Sequence, residues 1–167
     1  MVISSSNSYS KLNPDVVEIS SANKINLKRL SQNGQIQIYQ SSYRGSYSSI
    51  IRDSLRNAAL GRKVLLVQFM KGGVKQGIAN AVKLCGNLTW LRSAHSFDQY
   101  HSEEIEKNQN LKKSIHESIF ELWNLCKKEL LSGEKDQIIL DEIFLAIKMK
   151  IIDKDDLIST LENRFIS

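Results

Sequence analysis

QIQIYQSSYRGSYSSIIRDSLRNAA, residues 35–59, divides into three parts, and that division decides the fold. Gln35 to Tyr39 alternates polar and apolar residues, with Ile36 and Ile38 on one face, which is the period of a β-strand. From Ser46 the hydroxyl-rich sequence can cap a helix, and Ile50, Ile51, Leu55, Ala58 and Ala59 recur with helical spacing until Gly61 stops it. The turn between them, QSSYRGSY, sits where P-loop proteins aim backbone amides at phosphate. Lys63 to Phe69, KVLLVQF, then reads as a parallel strand buried on both faces. A strand, helix, strand order implies a right-handed crossover.

Working outward, MKGGVKQG is a loop carrying Gly72, Gly73 and Gly77, and IANAVKLCG reads as a short helix closed by Gly86. Asn87 to Leu91, NLTWL, supplies another strand, and residues 92–102, RSAHSFDQYHS, a polar and aromatic loop. Glu103 to Leu131 has the pattern of one long helix, with Leu111, Ile115, Ile119, Leu122, Cys126 and Leu130 as its buried stripe and Gly133 as its stop. Gln137 to Leu140, QIIL, is a fourth strand running into Asp141 and Glu142. After the short apolar run IFLAIKMKII, Asp153 caps a last helix whose acidic first turn suits the helix dipole. Upstream, residues 1–34 hold eight serines and the only proline, Pro14. They read as a poorly ordered arm ahead of an α/β domain over 35–167. Within the arm, KINLKRL forms a short basic amphipathic turn.

The 167 residues fit one domain, and 41% hydrophobic content is enough for a core. Neither a membrane span nor the charged-then-apolar order of a signal peptide is present, so a cytoplasmic protein is expected. Cys85 and Cys126 lie in unrelated stretches and read as core fillers rather than as a disulfide or a zinc site. Residues 35–100 carry nine Lys and Arg against two Asp, a balance of +7, whereas residues 101–167 carry ten against fourteen acids. That field favours a polyanionic ligand near the phosphate-like turn; solvated surface lysines are the plain alternative. Aromatic residues do not cluster as a stacking platform, so nucleic acid ranks last among the partners.

Two pieces of chemistry support each other. IILDE resembles a Walker B strand, in which acids at the strand tip hold Mg²⁺ or orient water. Open parallel sheets bind ligands at the carboxyl ends of their strands, and both IILDE and the turn after Tyr39 fall there.

These segments resemble the ATP:corrinoid (cob(I)alamin) adenosyltransferases of the P-loop type. IYQSSYRGSYSS stands at the P-loop, GRKVLLVQFMKG at the next strand, RSAHSFDQ in the aromatic loop and ELWNLCKKELLSGEKDQIILDEI at the Walker B segment. The likeness spans about residues 35–163, and VQFMKG and SGEKDQIILDE are its most specific parts. It implies a three-layer, RecA-like parallel sheet with flanking helices. The family pattern continues beyond the last helix with at least one more strand, so the expected sheet lacks its last strand or strands, and an uncovered edge would favour a homodimer.

The resemblance also implies an activity: the 5′-deoxyadenosyl group of ATP passes to the cobalt of a reduced corrinoid, cobalamin or a precursor, and triphosphate leaves. No side-chain nucleophile is needed, and the sequence shows no convincing catalytic triad or dyad. The implied nucleotide-binding residues are Ser41, Ser42, Arg44, Gly45, Ser46 and Ser48; Asp141 and Glu142 would take Mg²⁺; His95 and Phe97 fall where the family shields the lower face of the corrinoid. The family's GNGKGKTT corresponds here to Ser41, Ser42, Tyr43, Arg44, Gly45, Ser46, Tyr47 and Ser48, which keeps only Gly45. Ser46 replaces the phosphate-gripping lysine, Tyr47 the hydroxyl residue on Mg²⁺, and Tyr43 a glycine that lets phosphate approach. A relative that binds corrinoid or nucleotide without turnover is therefore the alternative reading.

Overall fold

The computed structural model describes residues 2–6, 34–40, 48–72, 81–93, 95 and 108–164, the first five by their backbone. Among these, β1 (Val2–Ser6), β2 (Gln35–Tyr39), β3 (Val64–Gln68), β4 (Val82–Leu84), β5 (Leu88–Arg92) and β6 (Gln137–Asp141) form one sheet in the order β2-β1-β6-β3-β5-β4. Its helices are α1 (Ser48–Ala59), α2 (Gln109–Ser132), α3 (Ile143–Lys148) and α4 (Lys154–Glu162). β3 pairs in parallel with β5 and with β6. β1 lies antiparallel to both β2 and β6, so β2 runs in the same direction as β6, and β4 is antiparallel to β5. The α/β sheet is thus four co-directional strands with two antiparallel ones added, flanked by helices.

β3 is buried along its whole length, and its alternate residues feed two cores. Val64 and Leu66 join Leu88, Ile139, Ile50 and Ala58 on the α1 side. Leu65 and Val67 join Leu91, Ile138 and Leu140 on the other side, against Ile115, Ile119, Leu122, Trp123 and Cys126 of α2 and Leu157 of α4. A strand covered on both faces has no polar side to show, which is why KVLLVQF carries no alternation. Each such Leu or Val, fully buried, contributes about 1.5–3 kcal/mol.

Caps set the helix ends. The Asn108 side chain accepts from the Leu111 N–H at 3.1 Å, and Gly133 closes α2 in the left-handed region at φ 68. Asp153 accepts from the Asp155 N–H at 3.0 Å at the start of α4. At the amino end of the parallel strands, Asn57 donates to Gln137 at 2.9 Å and the Lys63 N–H donates to Asp136 at 2.7 Å. These contacts fasten α1 and the β3 approach to β6.

Four local expectations change. Val82–Leu84, expected within a short helix, is a strand paired to β5. Cys85 and Gly86 both take positive φ, 51 and 72, the sign that primed hairpin turns require, so the segment reverses instead of coiling. Cys85 is therefore exposed and not a core filler, whereas Cys126 is buried and burial pushes its thiol well above the ordinary range. On α1, Ala59 is exposed and Ser54 is buried in the stripe, its hydroxyl donating to the Ile50 carbonyl at 2.6 Å. Finally, Val2–Ser6, read as part of the arm, lies in the sheet, where backbone hydrogen bonds to β2 and β6 need no large apolar side chain. The rest of residues 1–33 lies outside the described residues. β2 is exposed throughout, with Ile38 58% accessible.

Candidate functional site

One row of paired residues crosses the sheet at the carboxyl end of its co-directional strands. Tyr39 pairs with Val2, Val2 with Asp141, Asp141 with Gln68, and Gln68 with Arg92. Tyr39 and Asp141 are thus level with each other and one strand apart, about 10 Å at the usual strand spacing. The end of β2 and the IILDE acids thus share one end of the sheet; residues 41–47, which follow, lie outside the described residues. The first turn of α1 has no acidic residue to offset the positive end of its dipole.

Residues paired in a ladder project to the same face, here the face covered by α1. The side chains of Arg92, Gln68 and Asp141 accordingly form a chain. Arg92 Nε and Trp90 Nε1 both donate to Gln68 Oε1, at 2.7 and 3.0 Å, and Gln68 Nε2 donates to Asp141 Oδ2 at 2.8 Å. The Arg92 guanidinium also lies 4.7 Å from the centre of the Trp90 ring. Lys71, two residues beyond Phe69, brings its Nζ to 2.8 Å from the same Asp141 Oδ2.

Asp141 is 2% exposed, and its two oxygens differ. Oδ2 takes two donors; Oδ1 is buried with no hydrogen-bond partner among the described residues. A buried carboxylate oxygen left open in this way is uncommon and marks a place for a cation or a donor. Glu142 follows at 4% exposure with φ 61, a left-handed backbone that a glutamate rarely adopts, and it stands at the N-cap position of α3 without capping that helix through its side chain. Two adjacent carboxylates thus end β6. Among the described residues no group of three or more His, Cys, Asp or Glu is placed to hold a metal, so a Mg²⁺ here would complete its shell with phosphate and water oxygens.

The start of the aromatic loop is fastened to the same end. The Ser93 N–H donates to the Gln68 carbonyl at 3.2 Å, and the His95 N–H donates to Ser93 Oγ at 3.2 Å. Partial burial lowers the pKa of His95, which keeps the imidazole neutral around pH 7. Ser48 stands exposed as the first residue of α1. Ser41, Ser42, Arg44, Gly45, Ser46 and Phe97 lie outside the described residues. Of the residues expected at the site, Asp141, Glu142, His95 and Ser48 are therefore described. Gln68, Lys71, Trp90 and Arg92 were not singled out. Their one signal was local: a glutamine closing an otherwise apolar strand, with a lysine just beyond it, in VQFMK.

No helix among the described residues is long and apolar enough to cross a membrane. No curated protein matches the chain. The family model of the ATP:corrinoid adenosyltransferases BtuR/CobO/CobP matches residues 32–166. That match covers most of the chain, including Tyr39, Gln68, Arg92 and Asp141 of the strand-tip row, and the protein belongs to the ATP:corrinoid adenosyltransferase family.

Proposed function

We propose that the protein transfers the 5′-deoxyadenosyl group of ATP to the cobalt of a reduced corrinoid, cob(I)alamin or a precursor, as a cytoplasmic enzyme of cobalamin biosynthesis. The reading is supported by the row Tyr39, Val2, Asp141, Gln68, Arg92, which puts the end of β2, where the chain goes on to residues 41–47, level with Asp141 and its open oxygen. In the reaction, Co(I) supplies an electron pair to the ribose 5′ carbon, a cobalt–carbon bond forms, and the carbon–oxygen bond to triphosphate breaks with its electrons leaving on triphosphate. Nothing on the protein need be a nucleophile; its work is to position ATP and to stabilise the departing charge.

Ser41, Ser42, Arg44, Gly45, Ser46 and Ser48 line the triphosphate through backbone amides, hydroxyls and one guanidinium. Asp141 and Glu142 would hold Mg²⁺, whose chemistry when bound is neutralisation of phosphate charge. Asp141 fits because Oδ1 is a hard oxygen donor with no other partner. His95 and Phe97 lie against the lower face of the corrinoid and exclude water, and the neutral His95 ring has a lone pair to offer the cobalt. The exposed outer strand β2, with Ile36 and Ile38, is the surface through which a homodimer would form. Replacing Ile38 by Lys should then shift sedimentation at high concentration towards monomer.

The test is incubation of the full chain with ATP, Mg²⁺ and chemically reduced cobalamin, following the light-sensitive adenosyl product. Product is expected, and Asp141→Asn and Glu142→Gln should abolish it. A second reading, binding of nucleotide or corrinoid without turnover, is favoured by Ser46 and Tyr43 in place of the P-loop lysine and glycine. It predicts ATP binding by calorimetry with no adenosyl product. Absence of both binding and product would end the nucleotide reading altogether.

A further inference from the structure

We propose that Lys71 is the phosphate-binding lysine of this site, supplied from the chain just beyond β3 rather than from the turn before α1. The inference rests on the triphosphate reading above and names the residue that grips the leaving group. In a standard P-loop a lysine at the helix start reaches the outer phosphates. Here that position is Ser46, and the helix begins SSII with no cation. Lys71 meets the same need from another element. Its Nζ lies 2.8 Å from Asp141 Oδ2, in the row level with Tyr39, and its side chain is 25% accessible while that of Asp141 is 3%. The ammonium therefore stands at the boundary between the buried carboxylate and open space.

Its chemistry suits an exchange of partners. Asp141 Oδ2 has a second, fixed donor in Gln68 Nε2, and Gln68 is itself held by Trp90 and Arg92, so the carboxylate keeps its orientation when Lys71 departs. Arg92 is held at its Nε and stacked on Trp90, whereas Lys71 is a compact charge on a flexible four-carbon stem. Without ligand, Lys71 neutralises Asp141. With triphosphate bound, the Lys71 ammonium turns to a phosphate oxygen within the reach of its stem, and Asp141 would then hold Mg²⁺, which would supply the counter-charge that Lys71 gave it. The same residue then serves the empty and the loaded site, and neither state leaves a buried charge without a counter-charge.

Calorimetric titration of the full chain with inorganic tripolyphosphate, in EDTA and then in Mg²⁺, tests this. The wild type should bind in both buffers. Lys71→Met should weaken binding tenfold or more even in EDTA, because an ammonium–phosphate contact needs no metal. Asp141→Asn should tighten binding in EDTA, because the ammonium is no longer held by a buried carboxylate, and should lose the gain that Mg²⁺ brings. Adding Ser46→Lys to Lys71→Met should restore binding. Should Lys71→Met fail to fold with Asp141 uncompensated, Lys71→Met/Asp141→Asn removes both charges and should show the same loss in EDTA. Wild-type affinity in either Lys71→Met protein overturns the proposal while leaving the triphosphate reading intact. A wild type that binds neither tripolyphosphate nor ATP overturns both.

Discussion

Gln68 shows how much one side chain can organise when it is buried among donors and acceptors. It is 1% exposed, accepts from Trp90 and Arg92, and donates to an aspartate 73 residues away. Gln68→Leu keeps the apolar packing and leaves three polar groups with a partner missing. Urea unfolding should record a loss of about 2–3 kcal/mol, because buried groups deprived of a partner cost more than the bond was worth. His95 carries a second expectation at this scale. Partial burial lowers its pKa, so the ring is neutral at pH 7 and charges only below the ordinary imidazole range near 6.5. If its lone pair reaches cobalt, the absorption spectrum of bound corrinoid should change in His95→Ala. Acidifying the wild type should move its spectrum towards that of the variant, and an unchanged spectrum would remove the ligand role. The two acids of IILDE were legible because a strand tip is a short-range pattern. Gln68 and Lys71 were not, since their meaning depends on residues brought together only by the sheet.

Packing of α4 onto α2 turns on a single carboxylate. Asp156 accepts from Trp123 Nε1 at 2.7 Å and from Lys127 Nζ at 3.0 Å, and Lys127 also approaches the Trp123 ring. The indole N–H first, and then the ammonium, favour the ionised form and lower the pKa of Asp156. A carboxylate with a lowered folded-state pKa stabilises the fold above its unfolded value near 4, and that stabilisation fades as pH falls through the lower folded value. Thermal midpoints scanned from pH 6 downwards should therefore drop more for the wild type than for Asp156→Asn, with the two curves converging at the acid end. Salt should shrink the difference, as the pair is partly exposed. The long helix α2 was readable from its stripe at 3.6-residue spacing, and all but one of the stripe residues are buried. β4 was not, because three residues cannot establish a period and the turn after it uses a cysteine at φ 51, a choice no turn rule anticipates.

At the scale of the whole molecule, the strand β1 decides whether the two halves of the site belong together. It is the only link in the described sheet between β2, which leads into residues 41–47, and β6, which ends in the acids. Deleting residues 1–6 should release β2. Amide exchange at Gln35–Tyr39 should then rise to the level of an unpaired segment, and ATP affinity should fall with it, while β3, β5 and β6 keep their protection. Protected β2 amides in the deletion protein would show that the strand holds without β1. The order of strand, helix and strand was legible from periodicity, as was the place of Tyr39 and the IILDE acids at one sheet end. The place of VISSS was not, since a backbone ladder to partners at least 29 residues away leaves no local trace. The same antiparallel course has a practical side. Val2 is level with Asp141, so whatever precedes it emerges at the end where ligands would enter. Arg164, near the close of α4, donates to the Gly34 carbonyl at the far end of β2. A tag joined ahead of Val2 would start at the sheet end that carries Asp141, whereas one beyond Arg164 would start from a residue held at the opposite end of β2, which makes it the safer choice for an assay of ligand binding.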